Sequence, residues 1–100
     1  MKTTINESGN SVIVKLEGDL DTAAAQETEK IFQPLLDMKN KDITVDCSEL
    51  NYISSSGLRL FLSLLKSCKP NGNNLVLQHV NDNIKKVFTM TGFSALFNMQ

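Results

Sequence analysis

The fold is decided where a predicted strand is followed by an apolar helix, in the stretch Asp46-Cys47-Ser48-Glu49-Leu50-Asn51-Tyr52-Ile53-Ser54-Ser55-Ser56-Gly57-Leu58-Arg59. Apolar and polar residues alternate from Asp42 to Cys47, which predicts a short strand with one buried face. From Leu58 to Ser67 the pattern is helical and mostly apolar, so this helix must pack against a sheet or a partner. A strand joined to a helix in this way is half of a β-α-β unit, whose strands are parallel neighbours.

The segments on either side continue the alternation of strands and helices. Strands are predicted at Lys2 to Asn6, Ser11 to Glu17 and Leu75 to Leu77. One helix is predicted to begin at Ala23, capped by Asp21 or Thr22, and another to be capped by Asn81 or Asp82. Gly18-Asp19-Leu20-Asp21 is expected to end the second strand, and Pro34 to end or kink the first helix. The inward-facing residues are expected to be Ala24, Thr28, Ile31 and Leu35 in the first helix and Leu58, Phe61, Leu62 and Leu65 in the second.

The predicted order is β-β-α-β-α-β-α with a short terminal element, and its opening hairpin makes the sheet mixed. This order indicates an α/β or α+β fold, a small mixed sheet of about four to five strands packed by about four helices. The 100 residues suffice for a single domain, 1–100, with one modest core.

Charge and composition exclude several classes of protein. A net charge of −1, from ten basic and eleven acidic residues, argues against nucleic-acid binding and against an electrostatic membrane anchor. No apolar run approaches the roughly 20 residues of a membrane span, and no signal peptide is visible, so a cytoplasmic protein is expected. Cys47 and Cys68 are then expected to be reduced, and with one His in the chain they form no zinc pattern.

The serine cluster Ser54-Ser55-Ser56-Gly57 at the start of the apolar helix is the best candidate site. A helix N-terminus offers unpaired N–H groups and a partial positive charge, so it stabilises a phosphate placed there. A phosphoserine adds a charge of about −1.5 to −2, enough to turn off a binding face while leaving the fold intact. Two interpretations stay open at this point, a phosphorylation switch and ordinary N-cap chemistry.

Other constellations are weaker. Asp19 and Asp21 could form an acid pair or a metal site, but capping and turn formation explain them without a third ligand. Ser55 with His79 and an acid could imitate a hydrolase triad, yet no Gly-x-Ser-x-Gly motif is present. Glycine-rich phosphate loops are absent as well. No catalytic residue, metal ligand or cofactor site is therefore predicted.

Four segments, in order and spacing, resemble the STAS domain family in its short anti-sigma-factor-antagonist form. They are Gly18 to Asp21, Asp42 to Cys47, Ser54 to Leu58 and Val87 to Phe93, so the resemblance covers essentially the whole chain. It implies a small mixed sheet with helices, and a non-enzymatic protein that regulates transcription indirectly. The unphosphorylated protein would bind an anti-sigma factor with GHKL-type serine kinase activity, phosphorylation would release it, and a PP2C-type phosphatase would restore it.

The family motif, Asp-Ser-(Ser/Thr)-Gly-Leu, places the phosphoacceptor on Ser55, with Ser56 and Ser54 as alternatives. Ser54 stands where the motif has Asp, which removes a negative charge beside the acceptor. The expected partner-binding residues are Asp21, Ser54, Ser55, Ser56, Gly57 and Arg59. A second possibility within the family is an accessory subunit of a lipid-transport ABC complex, which binds its partner without phosphorylation.

Overall fold

The computed structural model describes residues 1–100. Its strands are β1 (Lys2–Ser8), β2 (Ser11–Leu20), β3 (Asp42–Ile53), β4 (Asn74–Gln78) and β5 (Asn98–Met99). Its helices are α1 (Thr22–Asp37), α2 (Ser55–Asn71) and α3 (Asp82–Met90), with a 3-10 helix at Ser94–Leu96. None of these helices has both the length and the apolar character needed to cross a membrane.

The strands form one mixed sheet in the order β1-β2-β3-β4-β5. β1 is antiparallel to β2, and each later pair of neighbours is parallel. The hairpin between β1 and β2 turns at Gly9, whose φ of 58° is a conformation that glycine adopts without strain. The predicted α/β fold with a small mixed sheet is confirmed, with three α-helices rather than about four.

Two predicted strand ends are wrong. β2 continues through Gly18 to Leu20, because Gly18 has a φ of 108° and lies beside register shifts in the pairing with β3. Such a bulge bends a strand without ending it. β3 likewise continues beyond Cys47 to Ile53, where it pairs with Leu20. Both strands are therefore longer than predicted, and they end side by side at Leu20 and Ile53.

Half of the residues predicted to face inward are buried, namely Thr28, Leu35, Leu58 and Phe61, while Ala24, Leu62 and Leu65 are half-buried. In α1 the buried residues are Ala25, Thr28, Phe32 and Leu35, and in α2 they are Gly57, Leu58, Leu60, Phe61, Leu64 and Cys68. Ile31 is 39% exposed, contrary to expectation. Pro34 and Pro70 each lie in the last turn of their helix, and each helix continues past its proline, to Asp37 and to Asn71. A proline there removes one backbone hydrogen bond, because it has no N–H to donate to the carbonyl four residues earlier, and both helices end within one turn of it.

The core consists of 23 buried residues between the helices and one face of the sheet. Val12, Val14 and Leu16 of β2 point into it, whereas Ile13 between them is 48% exposed. Phe88 of α3 packs edge-to-face on Phe61 and Phe97, with ring centroids 5.7 and 5.3 Å apart. α1 and α2 pack against each other. Their N-termini lie at the same edge of the sheet, because each helix follows the carboxyl end of one of the parallel neighbours β2 and β3.

Candidate functional site

The site lies where β2 and β3 end side by side. Leu20 and Ile53 are paired in the last step of the parallel ladder, and the Ser54 N–H donates to the Leu20 carbonyl at 2.9 Å. Each strand is followed directly by the N-cap residue of a helix, Asp21 for α1 and Ser54 for α2. The carboxyl ends of parallel strands are where α/β proteins gather their sites.

Ser54 is the N-cap of α2 and is engaged in the fold. Its Oγ accepts a hydrogen bond from the Gly57 N–H at 3.1 Å, and the residue is 9% exposed. In α1 the Asp21 Oδ1 accepts from the Ala24 N–H at 2.8 Å in the same way. Ser and Asp are both favoured N-cap residues, so Ser54 caps α2 as Asp21 caps α1, but without a charge.

Gly57 is required by close packing. A Cβ at this position would lie 2.8 Å from Cγ and Cδ2 of Leu20 and 3.0 Å from Cγ1 of Ile53. Both of those residues are buried at the ends of their strands. The absence of a side chain thus lets α2 start directly against the sheet, and Gly57 itself is buried.

The other two serines are more accessible than Ser54. Ser55 is the first residue of α2 and is exposed, while Ser56 is half-buried and faces the groove between α1 and α2. That groove has a volume of about 250 Å³ and also contains Arg59 and Glu29 on its walls. Because residues four apart in a helix are neighbours on its surface, Arg59 lies one turn from Ser55.

Acidic side chains surround the start of α1. A pocket of about 360 Å³ there is lined by three exposed acidic residues, Asp19, Asp21 and Glu27. The site is therefore acidic on its α1 side and basic on its α2 side. No arrangement of three or more His, Cys, Asp or Glu side chains suitable for a metal ion occurs in the structure.

His79 is placed away from Ser55. It follows β4 and lies near Asp46. Burial raises the pKa of Asp46, but hydrogen bonds from Ser48 and the electrostatic effect of His79 together bring that pKa below its usual value. From Asp46 to Ile53 the strand advances roughly 20 Å. The structure consequently does not assemble a triad from Ser55 and His79.

The cysteines do not contribute a nucleophile. Both are free and buried. Burial, reinforced by the charge of Asp46, raises the pKa of the Cys47 thiol to about 12, and burial raises that of Cys68. A thiol held in its protonated form is a poor nucleophile.

Comparison with known proteins identifies the family. The family model described as "Mlab, STAS domain" matches residues 3–98. The anti-sigma-B factor antagonist of Staphylococcus aureus is 33% identical over 86 residues, which is 86% of this chain and 80% of that protein. The corresponding protein of Staphylococcus epidermidis is 31% identical over the same coverage. The chain belongs to the STAS domain family.

Solved structures have the same fold at lower identity. An anti-sigma factor antagonist from Thermotoga maritima has a TM-score of 0.86 and 20% identity, covering 97% of this chain and 84% of that one. Unphosphorylated SpoIIAA, an anti-sigma factor antagonist, has a TM-score of 0.81 and 20% identity, covering 99% and 88%. The phosphorylated form of SpoIIAA, described as a Bacillus cell-fate determinant, has a TM-score of 0.75 and 18% identity, covering 99% and 91%.

One feature of the site was not found from the sequence, the equivalence of the two helix starts. Leu20 to Ala24 and Ile53 to Gly57 share one pattern: an apolar strand end, a capping residue, a hydroxyl residue and two further small residues. The predicted ends of β2, before Leu20, and of β3, at Cys47, hide this equivalence, because they place the two segments in loops. The repeated pattern was the available signal.

Proposed function

We propose that this protein is an anti-sigma-factor antagonist that works as a phosphorylation-controlled partner switch. Unphosphorylated, it binds an anti-sigma factor with GHKL-type serine kinase activity, and phosphorylation of Ser55 releases it. A PP2C-type phosphatase reverses the modification, and the protein acts in the cytoplasm without enzymatic activity of its own. The observation that carries the proposal is the exposed Ser55 hydroxyl on the first residue of α2, beside a neutral cap.

The choice of Ser55 among the three serines follows from their environments. The Ser54 oxygen already accepts the Gly57 N–H in a buried site, so phosphorylation there would cost the helix its cap. Ser56 is half-buried in the groove between the helices, where a phosphate would lose part of its hydration and lie beside Glu29 as well as Arg59. Of the three serines, Ser55 alone combines an exposed side chain with the positive end of the helix.

The same geometry explains how phosphorylation would separate the complex. A bound partner would cover the exposed residues around the site, Asp21, Ser55 and Arg59, together with part of Ser56. A phosphate on Ser55 introduces about two negative charges into that contact, and burying them without compensation is costly. Ser54 and Gly57 are buried, so a partner would not cover them directly. They contribute to this face by holding its backbone in place, through the hydrogen bond from the Gly57 N–H to the Ser54 Oγ.

The curated relatives support this function over the accessory-subunit alternative. Both staphylococcal relatives bear the name anti-sigma-B factor antagonist. The Ser at position 54 is compatible with switching, because the capping contact is retained. An accessory subunit of a lipid-transport ABC complex would bind its partner with no dependence on the state of Ser55.

The test is phosphorylation by the cognate anti-sigma factor and ATP, followed by peptide mass spectrometry. A single phosphate on Ser55 is expected in the wild type and none in Ser55→Ala. Thr22→Val is the matched control, since Thr22 is the exposed first residue of α1, and it should be phosphorylated normally. Modification only at other residues, or equal partner binding by Ser55→Ala and Ser55→Asp, contradicts the proposal.

A further inference from the structure

The largest cavity of the protein lies at the far end of α2 from Ser55. It has a volume of about 800 Å³ and is bounded by α2, the start of β4 and the 3-10 helix. Its apolar wall is formed mainly by Leu62, Leu65, Leu75 and Leu96. We call it the α2 groove. Its size is in the range of a binding site, and its lining residues do not include Ser55 or its neighbours.

The α2 groove is incompletely covered by the chain itself. Leu96 is 53% exposed, and Leu62 and Leu65 are only half-buried although both belong to an apolar helix. The 3-10 helix that carries Leu96 has three residues, and the two-residue β5 that follows covers only Val76 and Leu77 of β4. Contiguous apolar side chains left exposed in this way are typical of an interaction surface.

The charge beside the groove has one sign. α2 contains Arg59, Lys66 and Lys69 and no acidic residue, although the whole chain has a net charge of −1. Lys66 and Lys69 line the groove, and no Asp or Glu does. The only ion pair in the structure joins Lys41 to Glu7, so these cations are not neutralised within the chain.

This basic surface continues from the groove to the proposed phosphorylation site. At about 100° per residue, Ser55, Arg59 and Lys66 lie within about 40° of one another around α2. All three are exposed. A partner lying along α2 would therefore contact Ser55 at one end and the groove at the other.

We infer that the α2 groove is the second half of the anti-sigma factor's docking surface and receives an amphipathic helix of that partner, with apolar side chains flanked by Asp or Glu. The inference rests on the proposed function and extends it. The α2 residues that line the groove run from Leu62 to Pro70, roughly two and a half helical turns, which suits a helix laid against them. Charge complementarity selects the acidic flanks, because the groove presents lysines and no carboxylates.

This surface also adds to the effect of phosphorylation. In α2 an acid four residues before a base is a favourable pair, so the phosphate on Ser55 attracts Arg59. The modification then places negative charge at one end of the surface and withdraws a cation from the partner's acidic side chains.

Binding of the purified cognate anti-sigma factor to the full-length chain tests the inference, by calorimetry at low and high salt. Lys66→Glu/Lys69→Glu is expected to weaken binding by about tenfold or more, with a smaller salt dependence than the wild type. Lys30→Glu/Lys85→Glu makes the same change in net charge at exposed positions outside the groove and should leave affinity within about twofold.

The apolar half of the inference has its own pair of variants. Leu96→Ser should weaken binding by about fivefold, whereas Met90→Ser, at a residue 82% exposed outside the groove, should not. A photo-crosslinking residue at position 96 should attach to a partner peptide containing apolar and acidic residues. All variants are compared at equal helicity by circular dichroism, so that unfolding is not mistaken for lost binding.

The outcomes separate the two proposals. If Ser55→Asp abolishes binding while the groove variants bind like the wild type, the inference is overturned and the proposed function stands. If the wild type does not bind the anti-sigma factor at all, both are overturned. Crosslinks at position 96 that join two copies of this chain, or attach only to a non-acidic partner segment, overturn the inference.

Discussion

The starts of α1 and α2 are built alike and lie next to each other, yet only one of them is suited to carry a phosphate. In each, a strand ends on a buried apolar residue, a polar residue caps the helix, and an exposed hydroxyl residue begins it. Thr22 in α1 thus occupies the position that Ser55 occupies in α2. The difference between them lies in the surroundings.

The cap of α1 is a carboxylate, and the cap of α2 is neutral. Asp21 is exposed and shares a pocket with Asp19 and Glu27, so the positive end of α1 is already compensated and a phosphate on Thr22 would be repelled. Ser54 carries no charge, and all the charged side chains of α2 are cationic. A helix N-terminus is therefore not sufficient for a phosphate site, and the local charge decides between two equivalent positions.

The largest expected effect concerns packing at the third helical residue, which is Ala24 in α1 and Gly57 in α2. Gly57→Ala should lower the free energy of unfolding by about 1–2 kcal/mol, because overpacking against Leu20 and Ile53 exceeds the gain in helix propensity. Ala24→Gly is the converse control and should cost less than about 1 kcal/mol. Urea denaturation measures both. A more stable Gly57→Ala protein would show that α2 has room to move away from the sheet.

The two strands that precede these helices differ in one buried residue type, and we expect this difference to affect the free energy of unfolding at alkaline pH. The buried side chains of β2 are all aliphatic, whereas β3 buries Cys47, whose pKa is raised to about 12 by burial and by the charge of Asp46. The unfolded thiol ionises near pH 9, so this contribution to stability is complete below pH 9 and is lost as the pH rises toward 12. The loss is about 1.4 kcal/mol per pH unit.

Denaturation at pH 8 and pH 10 measures this loss. The wild type should lose about 1.4 kcal/mol more than Cys47→Ala between the two values, since the variant has no thiol to ionise. The lower absolute stability of the variant, which arises from the lost side chain, does not enter this difference. Equal slopes for the two proteins would mean that Cys47 is more accessible to water than the structure indicates.

The sequence predicted the order of elements and the mixed sheet, because each rests on local patterns in a few residues. It left each of two N-caps between neighbours, Asp21 or Thr22 and Asn81 or Asp82, and the structure has Asp21 and Asn81. It placed the ends of β2 and β3 too early. Those ends depend on pairing between two distant segments, Leu20 with Ile53, which neither segment contains alone. The packing constraint on Gly57 could not be predicted for the same reason, because the side chain that imposes it, Leu20, belongs to the neighbouring strand β2.

A smaller effect is expected from removing the caps. Ser54→Ala should destabilise the protein by about 1–1.5 kcal/mol, because it leaves the buried Gly57 N–H without an acceptor. Asp21→Ala should cost about 0.5–1 kcal/mol, since water can replace the exposed carboxylate at the Ala24 N–H. Thermal denaturation of the two variants compares them directly. A costlier Asp21→Ala would mean that charge at the helix end contributes more than burial of the cap.

The smallest effect concerns the charge beside Ser55. Ser54→Asp keeps an N-cap acceptor and gives α2 the same cap as α1, so the unphosphorylated variant should stay within about 1 kcal/mol of the wild type. Phosphorylation should then be less favourable to the fold in the variant by about 0.5 kcal/mol, because the phosphate shares the helix end with a carboxylate. The melting temperatures of both proteins, with and without the Ser55 phosphate, measure this difference. If the difference between the two proteins is electrostatic, it should become smaller at high salt, because salt screens the charges. If phosphorylation changes the two melting temperatures equally, the neutral cap is not what distinguishes α2 from α1, and the cations of α2 alone account for the difference.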